Sequence, residues 1–249
     1  MDLKLSYSRI STYLQCPYKY YLSYIVKLPT KPRPYFSFGS SIHTVLEWLH
    51  KPRILPVNYT IREIISYYDE NWVDKGYSDI DEESRYKELG KSILISYWEK
   101  MEGNFKPALE VEKNFSYPLQ GFEGVTLTGI VDRIDLDESG NLVLTDYKTG
   151  KWIPSSVNGM DTLQLSIYAV AMSSLWDKKV SKVSNLYLRE YKEVAFIPSE
   201  EKVSEAMFEI DRAATGIRNM EFDLKVNKFC NWCDYKSRCK TTQVLSVER

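Results

Sequence analysis

Residues 129–150, GIVDRIDLDESGNLVLTDYKTG, restrict the fold more than any other stretch of this chain. Asp137 to Asn141 has the composition and length of a hairpin turn, and the runs on either side alternate with the period of two that marks a strand. Ile130, Asp132, Ile134 and Leu136 fall on one face of the first strand, and Leu142, Leu144, Asp146 and Lys148 share a face of the second. Setting Leu136 opposite Leu142 puts Ile134 opposite Leu144 and Asp132 opposite Asp146. Two carboxylates and a lysine then gather at one end of an apolar face, where a bare charge is costly. Opposed carboxylates about 5 Å apart repel unless a cation intervenes. Aspartate oxygens are preferred ligands of magnesium and manganese, and Lys148 is placed to hold a water or a phosphate oxygen beside such an ion. The plainer alternative is a surface hairpin whose charges are solvated.

The four cysteines are the second constraint. Cys230, Cys233 and Cys239 follow a C-x2-C-x5-C spacing, and Cys16 lies 214 positions before Cys230. The opening MDLKLSYSRISTYLQC has neither a secretory pattern nor a membrane span, which predicts a reducing cytoplasmic location. There two disulfides are disfavoured and four thiolates suit zinc or an iron–sulfur cluster, zinc being commoner on spacing alone. Closing so long a loop costs about 5 kcal/mol, which metal–thiolate bonds can offset.

At 249 residues the chain can bury a sizeable core, and 43% hydrophobic with 27% charged residues describes an ordinary globular protein. A formal net charge of −1 excludes a broadly basic coat, so a nucleic-acid surface must be local. Two basic segments qualify: residues 27–53 carry Lys27, Lys31, Arg33, Lys51 and Arg53, and residues 225–240 carry Lys225, Lys228, Lys236, Arg238 and Lys240. Periodicity predicts helices over 8–25, from Gly39 onward, 60–75, 84–101, 159–176 and 199–218. It predicts strands over 109–118, 124–136, 142–149 and 183–191. The expected organisation is a helical N-terminal region (1–105), an α/β core (106–220) and a cysteine-rich tail (221–249) packed on the N-terminus.

The GIVDRID strand followed by TDYKTG resembles the core of PD-(D/E)XK nucleases, and in detail the RecB-like branch. FSFGSSIHTVLEWL, residues 36–49, is similar to that branch's Gly-x-x-x-His segment, and LQLSIYA, residues 163–169, to its Gln-x-x-x-Tyr motif. The resemblance spans roughly residues 8–239 and implies a restriction-endonuclease-like fold, a central mixed sheet flanked by helices. It implies that His43, Asp132, Asp146 and the backbone carbonyl of Tyr147 hold Mg2+ or Mn2+. Lys148 is then the catalytic lysine, beside the two aspartates, with Gln164 and Tyr168 supporting the site or the DNA strand. The acidic residue before Lys148 is Asp rather than the commoner Glu. Members of the AddB type, and those accompanying CRISPR adaptation, carry a four-iron four-sulfur cluster on cysteines placed like Cys16, Cys230, Cys233 and Cys239. For these four the resemblance therefore implies a cluster rather than zinc.

Each motif has a duller explanation alone. His43 could cap or pack its helix, the His43, Glu47, His50 spacing could hold a separate zinc lacking a fourth ligand, and Gln164 and Tyr168 could be a surface pair. Their joint order favours a metal-dependent deoxyribonuclease, an exonuclease preferring single-stranded or frayed DNA or also an endonuclease, in CRISPR adaptation or DNA repair and recombination, with CRISPR adaptation proteins or a helicase as expected partners and no membrane. The alternatives are a non-catalytic DNA-binding component of such a complex and a zinc-stabilised nucleic-acid-binding module.

Overall fold

A computed structural model of the chain describes residues 2–53, 59–101, 105–157 and 160–239. The chain divides into two compact units: Met1–Lys31 with Ser116–Gly129 and Glu200–Arg249, and Pro32–Phe115 with Ile130–Ser199.

In the first unit, β1 (Leu3–Leu5) pairs in parallel with the start of β3 (Val125–Leu136), Leu3 against Val125 and Leu5 against Leu127. The helix expected over 8–25 is broken into α1 (Tyr7–Gln15), α2 (Pro17–Tyr20) and a π-helical stretch, Tyr21–Ile25. The cause is Pro17, which lacks an N–H and pushes the residue before it out of helical conformation. Cys16 is accordingly extended, with φ −161° and ψ 106°. Helix α1 packs on α7 (Glu200–Arg218) so closely that a Cβ added at Gly216 would lie 2.0 Å from the Tyr13 hydroxyl.

The second unit holds three helices and most of the sheet. Helix α3 (Pro34–His50) begins earlier than Gly39 because Pro34 is preset for a first helical position. It is followed by α4 (Ile61–Glu70), closed by a Thr60–Glu63 capping box, and α5 (Ile80–Met101). Ile42, Val45, Leu46 and Leu49 of α3 are at most 1% exposed and pack with Ile64 and Tyr68 of α4 and Ile93, Leu94 and Tyr97 of α5. At Gly90 of α5 an added Cβ would lie 1.9 Å from the Tyr68 hydroxyl, so only glycine allows this approach.

Strand β2 (Glu110–Pro118) pairs with β3, and the chain passes between the two units within each of these strands. Strand β4 (Leu142–Lys148) is antiparallel to β3, in the register expected: Leu136 opposite Leu142 and Ile134 opposite Leu144. Helix α6 (Leu163–Trp176) then carries the chain to β5 (Val180–Tyr187), parallel to β4, and β6 (Lys192–Phe196) closes the order β3-β4-β5-β6. The result is the expected mixed sheet with helices packed on it. The strand expected over 183–191 is displaced, because the chain turns at residues 188–191 and returns as β6. The apolar face expected on β3 is buried only at its middle: Ile134 is fully buried, whereas Ile130 and Leu136 are 43% and 45% exposed. Among the described residues no helix is long and apolar enough to cross a membrane.

Candidate active site

All of the hairpin, histidine and Gln-x-x-x-Tyr residues singled out by sequence lie in the second unit, and most of them touch. Pairing of β3 with β4 is regular up to Arg133 and Thr145. One step further Asp132 and Asp146 stand 8% and 3% exposed. There Asp132 accepts the backbone N–H of Tyr147 through Oδ2 at 2.6 Å.

Asp146 is held from the other side. Its Oδ2 lies 2.6 Å from Lys148 Nζ, and its Oδ1 accepts from Gln164 Nε2 at 2.8 Å. Gln164 joins the set together: its Oε1 accepts from Lys148 Nζ at 2.8 Å, and its amide nitrogen also donates to the Tyr168 hydroxyl at 2.8 Å. One turn of α6 thus fixes both the carboxylate and the lysine of β4. The bland reading of Gln164 and Tyr168 as a surface pair is excluded, since Tyr168 is buried against Phe115.

His43 reaches this corner from α3. Its Nε2 lies 3.2 Å from the Tyr147 carbonyl oxygen, and its Nδ1 lies 3.4 Å from Glu112 and 3.6 Å from Asp132. Burial alone would push the imidazole down, but a hydrogen bond to Glu112 and the charges of Asp132, Glu112 and Asp146 raise it to about 9. Asp132 is raised to about 7, by burial first and by Asp146 next. At neutral pH the imidazolium donates to Tyr147 and faces the carboxylates, so its proton takes the place a cation's charge would fill.

Glu112 was not legible in the sequence. Its φ of 45° lies in the left-handed region that a non-glycine residue rarely adopts. Among the described residues, His43, Glu112 and Asp132 form the one group of three or more potential ligands whose atoms all lie within 4.8 Å of one another. The donor chemistry, an imidazole with carboxylates and a carbonyl, suits a hard or borderline divalent cation.

His50 goes elsewhere. It is fully buried, hydrogen-bonded through Nε2 to the Tyr97 hydroxyl at 2.6 Å, with the Arg133 guanidinium within 3.1 Å of its ring nitrogens. Burial and Arg133 lower it to about 3, so it belongs to a neutral core network and not to a site with His43 and Glu47.

The cysteines lie in the first unit, all as free thiols. They line one cavity of about 580 Å3 with Lys19, Leu22 and Tyr235 among its other walls. Cys16 accepts the N–H of Lys19 at 3.4 Å and Cys230 that of Asn227 at 3.3 Å. Burial pushes the Cys233 thiol up, opposed by the N–H of Tyr235 and the charge of Lys19. Among the described residues no three sulfurs come within 4.8 Å of one another, whereas four thiolates on one zinc ion stand about 3.8 Å apart, given Zn–S bonds of about 2.3 Å. The residues before and after this cavity are tied directly: Asn227 Nδ2 donates to the Gln15 carbonyl at 3.1 Å, and the Tyr235 hydroxyl to that of Leu28 at 3.1 Å.

The sequence profile of the PD-(D/E)XK nuclease superfamily matches residues 4–240. Among curated proteins, the chain is similar to a subunit of the ATP-dependent helicase/deoxyribonuclease of Clostridium botulinum (strain Loch Maree / Type A3), 32% identical over 204 residues. That match covers 68% of this chain and 18% of the relative. The corresponding subunits from Clostridium acetobutylicum and Streptococcus uberis are 31% and 27% identical over 184 residues, covering 61% and 69% of this chain and 16% of each relative. The chain therefore spans less than a fifth of the length of these relatives.

Proposed function

The chain belongs to the PD-(D/E)XK nuclease superfamily, and from that premise we propose that it is a divalent-metal-dependent deoxyribonuclease acting on single-stranded or frayed DNA. The observation that carries this reading is the linkage of Asp132, Asp146, Lys148 and Gln164 around the end of β4.

His43, Asp132, Asp146 and the Tyr147 carbonyl hold the cation, and Glu112 joins them. A divalent cation bound there supplies positive charge at the scissile phosphate and lowers the pKa of a water. The protein's part is positional. Asp132 fixes the Tyr147 peptide, whose carbonyl lies 3.2 Å from His43 Nε2. Lys148 Nζ, beside the Asp146 carboxylate, would offer its protons to a phosphate oxygen or the attacking water. Gln164 holds the lysine in place, and the buried Tyr168 hydroxyl fixes Gln164.

The four cysteines hold a four-iron four-sulfur cluster. The cavity they share and the N–H groups aimed at the Cys16 and Cys230 sulfurs support this. The names of the relatives favour a helicase over CRISPR adaptation proteins as partner.

The test is a time course with Mn2+ or Mg2+ on end-labelled linear and on circular single-stranded DNA. Metal-dependent degradation by wild type, lost in Asp146→Ala, is expected. Wild type that binds DNA but never cleaves it would instead establish a non-catalytic binding protein. Iron and acid-labile sulfide measured on anaerobically purified protein test the cluster, and stoichiometric zinc without sulfide would overturn it.

A further inference from the structure

The first turn of α3 carries two adjacent aromatic side chains with their rings in the open. Tyr35 is 54% and Phe36 68% exposed, and their centroids are 4.5 Å apart. Single exposed apolar side chains are ordinary. This pair differs in its position. Phe36 precedes His43 by seven residues, two helical turns, so both side chains project from the same face of α3 about 10 Å apart along its axis.

The space between is narrow and polar. At Gly39, midway along that face, an added Cβ would lie 3.5 Å from Thr149 Oγ1, so this turn of α3 passes beside the residue that follows Lys148. Arg189 donates to the Thr149 carbonyl at 2.7 Å, which brings one guanidinium beside this turn, and Lys151 follows two residues after Thr149. Trp152, 67% exposed, comes next in the chain.

We propose that Phe36, backed by Tyr35, is a stacking platform for one unpaired base of the DNA strand whose scissile phosphate lies at the His43 corner, about 10 Å away along α3. This rests on the nuclease reading and deepens it by naming what selects a single strand. Cations along Lys148, Lys151 and Arg189 match the backbone, and an exposed ring accepts any base because every base has a π-face. In duplex DNA that face is buried against the neighbouring base pair, so the platform offers nothing to a paired strand.

The experiment uses the full chain with Ca2+ in place of Mg2+, and fluorescence anisotropy of labelled oligothymidylate and of a hairpin duplex of equal length. Phe36→Ala should weaken single-strand binding about tenfold and leave duplex binding and the thermal midpoint unchanged, and Phe36→Trp should restore it. A single abasic site walked along the oligonucleotide should weaken wild type at one position only, and Phe36→Ala should flatten that profile. Equal single-strand affinity in Phe36→Ala, equal loss for both DNAs, or an unchanged abasic profile overturns the proposal while Mn2+-dependent cleavage by wild type leaves the nuclease reading intact. Wild type that neither binds nor cuts DNA overturns both.

Discussion

Asp132 accepts the backbone N–H of Tyr147 at 2.6 Å, and this bond takes over where the ladder between β3 and β4 stops. The carboxylate is therefore part of the fold as well as of the site. Asp132→Ala leaves a buried N–H unpaired and should cost about 1–3 kcal/mol in urea unfolding. Asp132→Asn keeps an acceptor and removes the repulsion with Asp146, so EDTA-treated protein should be at least as stable as wild type. Both variants should lose metal-dependent cleavage by at least about 100-fold, on the scale of lost electrostatic stabilisation. Full activity in Asp132→Asn would refute its place in the site.

Gln164 makes its contacts to three site residues from a helix that needs nothing else of it. Gln164→Ala should keep the fold and bind the cation, yet lower kcat by about tenfold or more, the scale of a misplaced catalytic group. Steady-state kinetics with metal titration calorimetry separates the two effects. Collapse of metal affinity would show that Gln164 acts on Asp146 alone.

Stability should depend on pH with a sign set by three groups. Asp132, raised to about 7, and His43, raised to about 9, bind protons more tightly in the folded chain than in the unfolded one. EDTA-treated protein should therefore lose stability from about pH 4 to 7 through Asp132 and from about 6.5 to 9 through His43. Because the cation displaces these protons, Mn2+ should raise the thermal midpoint more at about pH 8.5 than at about pH 6. His50, lowered to about 3, runs the other way: its contribution is present above about pH 6.5 and is lost as pH falls toward 3. Scans of wild type, His43→Gln and His50→Asn check the assignment, and identical profiles in all three would move the titration elsewhere.

The hydrogen bonds of Asn227 and Tyr235 hold the cysteine-bearing segment to residues 15–28 without any bond between sulfurs. Cys233→Ser should bleach the visible absorption of the anaerobic protein while limited proteolysis still finds residues 221–239 protected. Tyr235→Phe should do the reverse, keeping the absorption and costing about 1 kcal/mol of stability. Rapid proteolysis of Cys233→Ser would mean that the cysteines, and not these hydrogen bonds, dock the segment.

The hairpin could be read from the sequence because period-two alternation and a turn of fixed length leave one register for Leu136, Leu142 and Asp146. The Gln164 network was legible for a similar reason, one turn of helix separating Gln164 from Tyr168. Glu112 was hidden because it sits among alternating charges in EVEKNF, and what turns it toward His43 is a backbone angle that no pattern of side chains announces. Strand β1 is three residues long, and β6 opens on the charged Lys192 and Glu193, so neither carries a period. The role of His50 depended on Arg133 and Tyr97, 83 and 47 residues away, and spacing within one helix could not supply it.

Tyr147 belongs to two environments at once. Its ring lies among the packed side chains of α3 and α5, and its peptide N–H and carbonyl face Asp132 and His43. Both faces of β4 thus carry packed side chains, Leu142 and Leu144 on the face that ends in Asp146 and the Tyr147 ring on the other. A deletion or insertion of one residue between Ser139 and Thr145 would exchange the two faces, turning the Asp146 carboxylate toward the packing of α3 and α5 and the Tyr147 ring away from it. The hydrophobic core in this sense proofreads the candidate site: the packing that seats the Tyr147 ring also sets the side of the strand on which Asp146 stands.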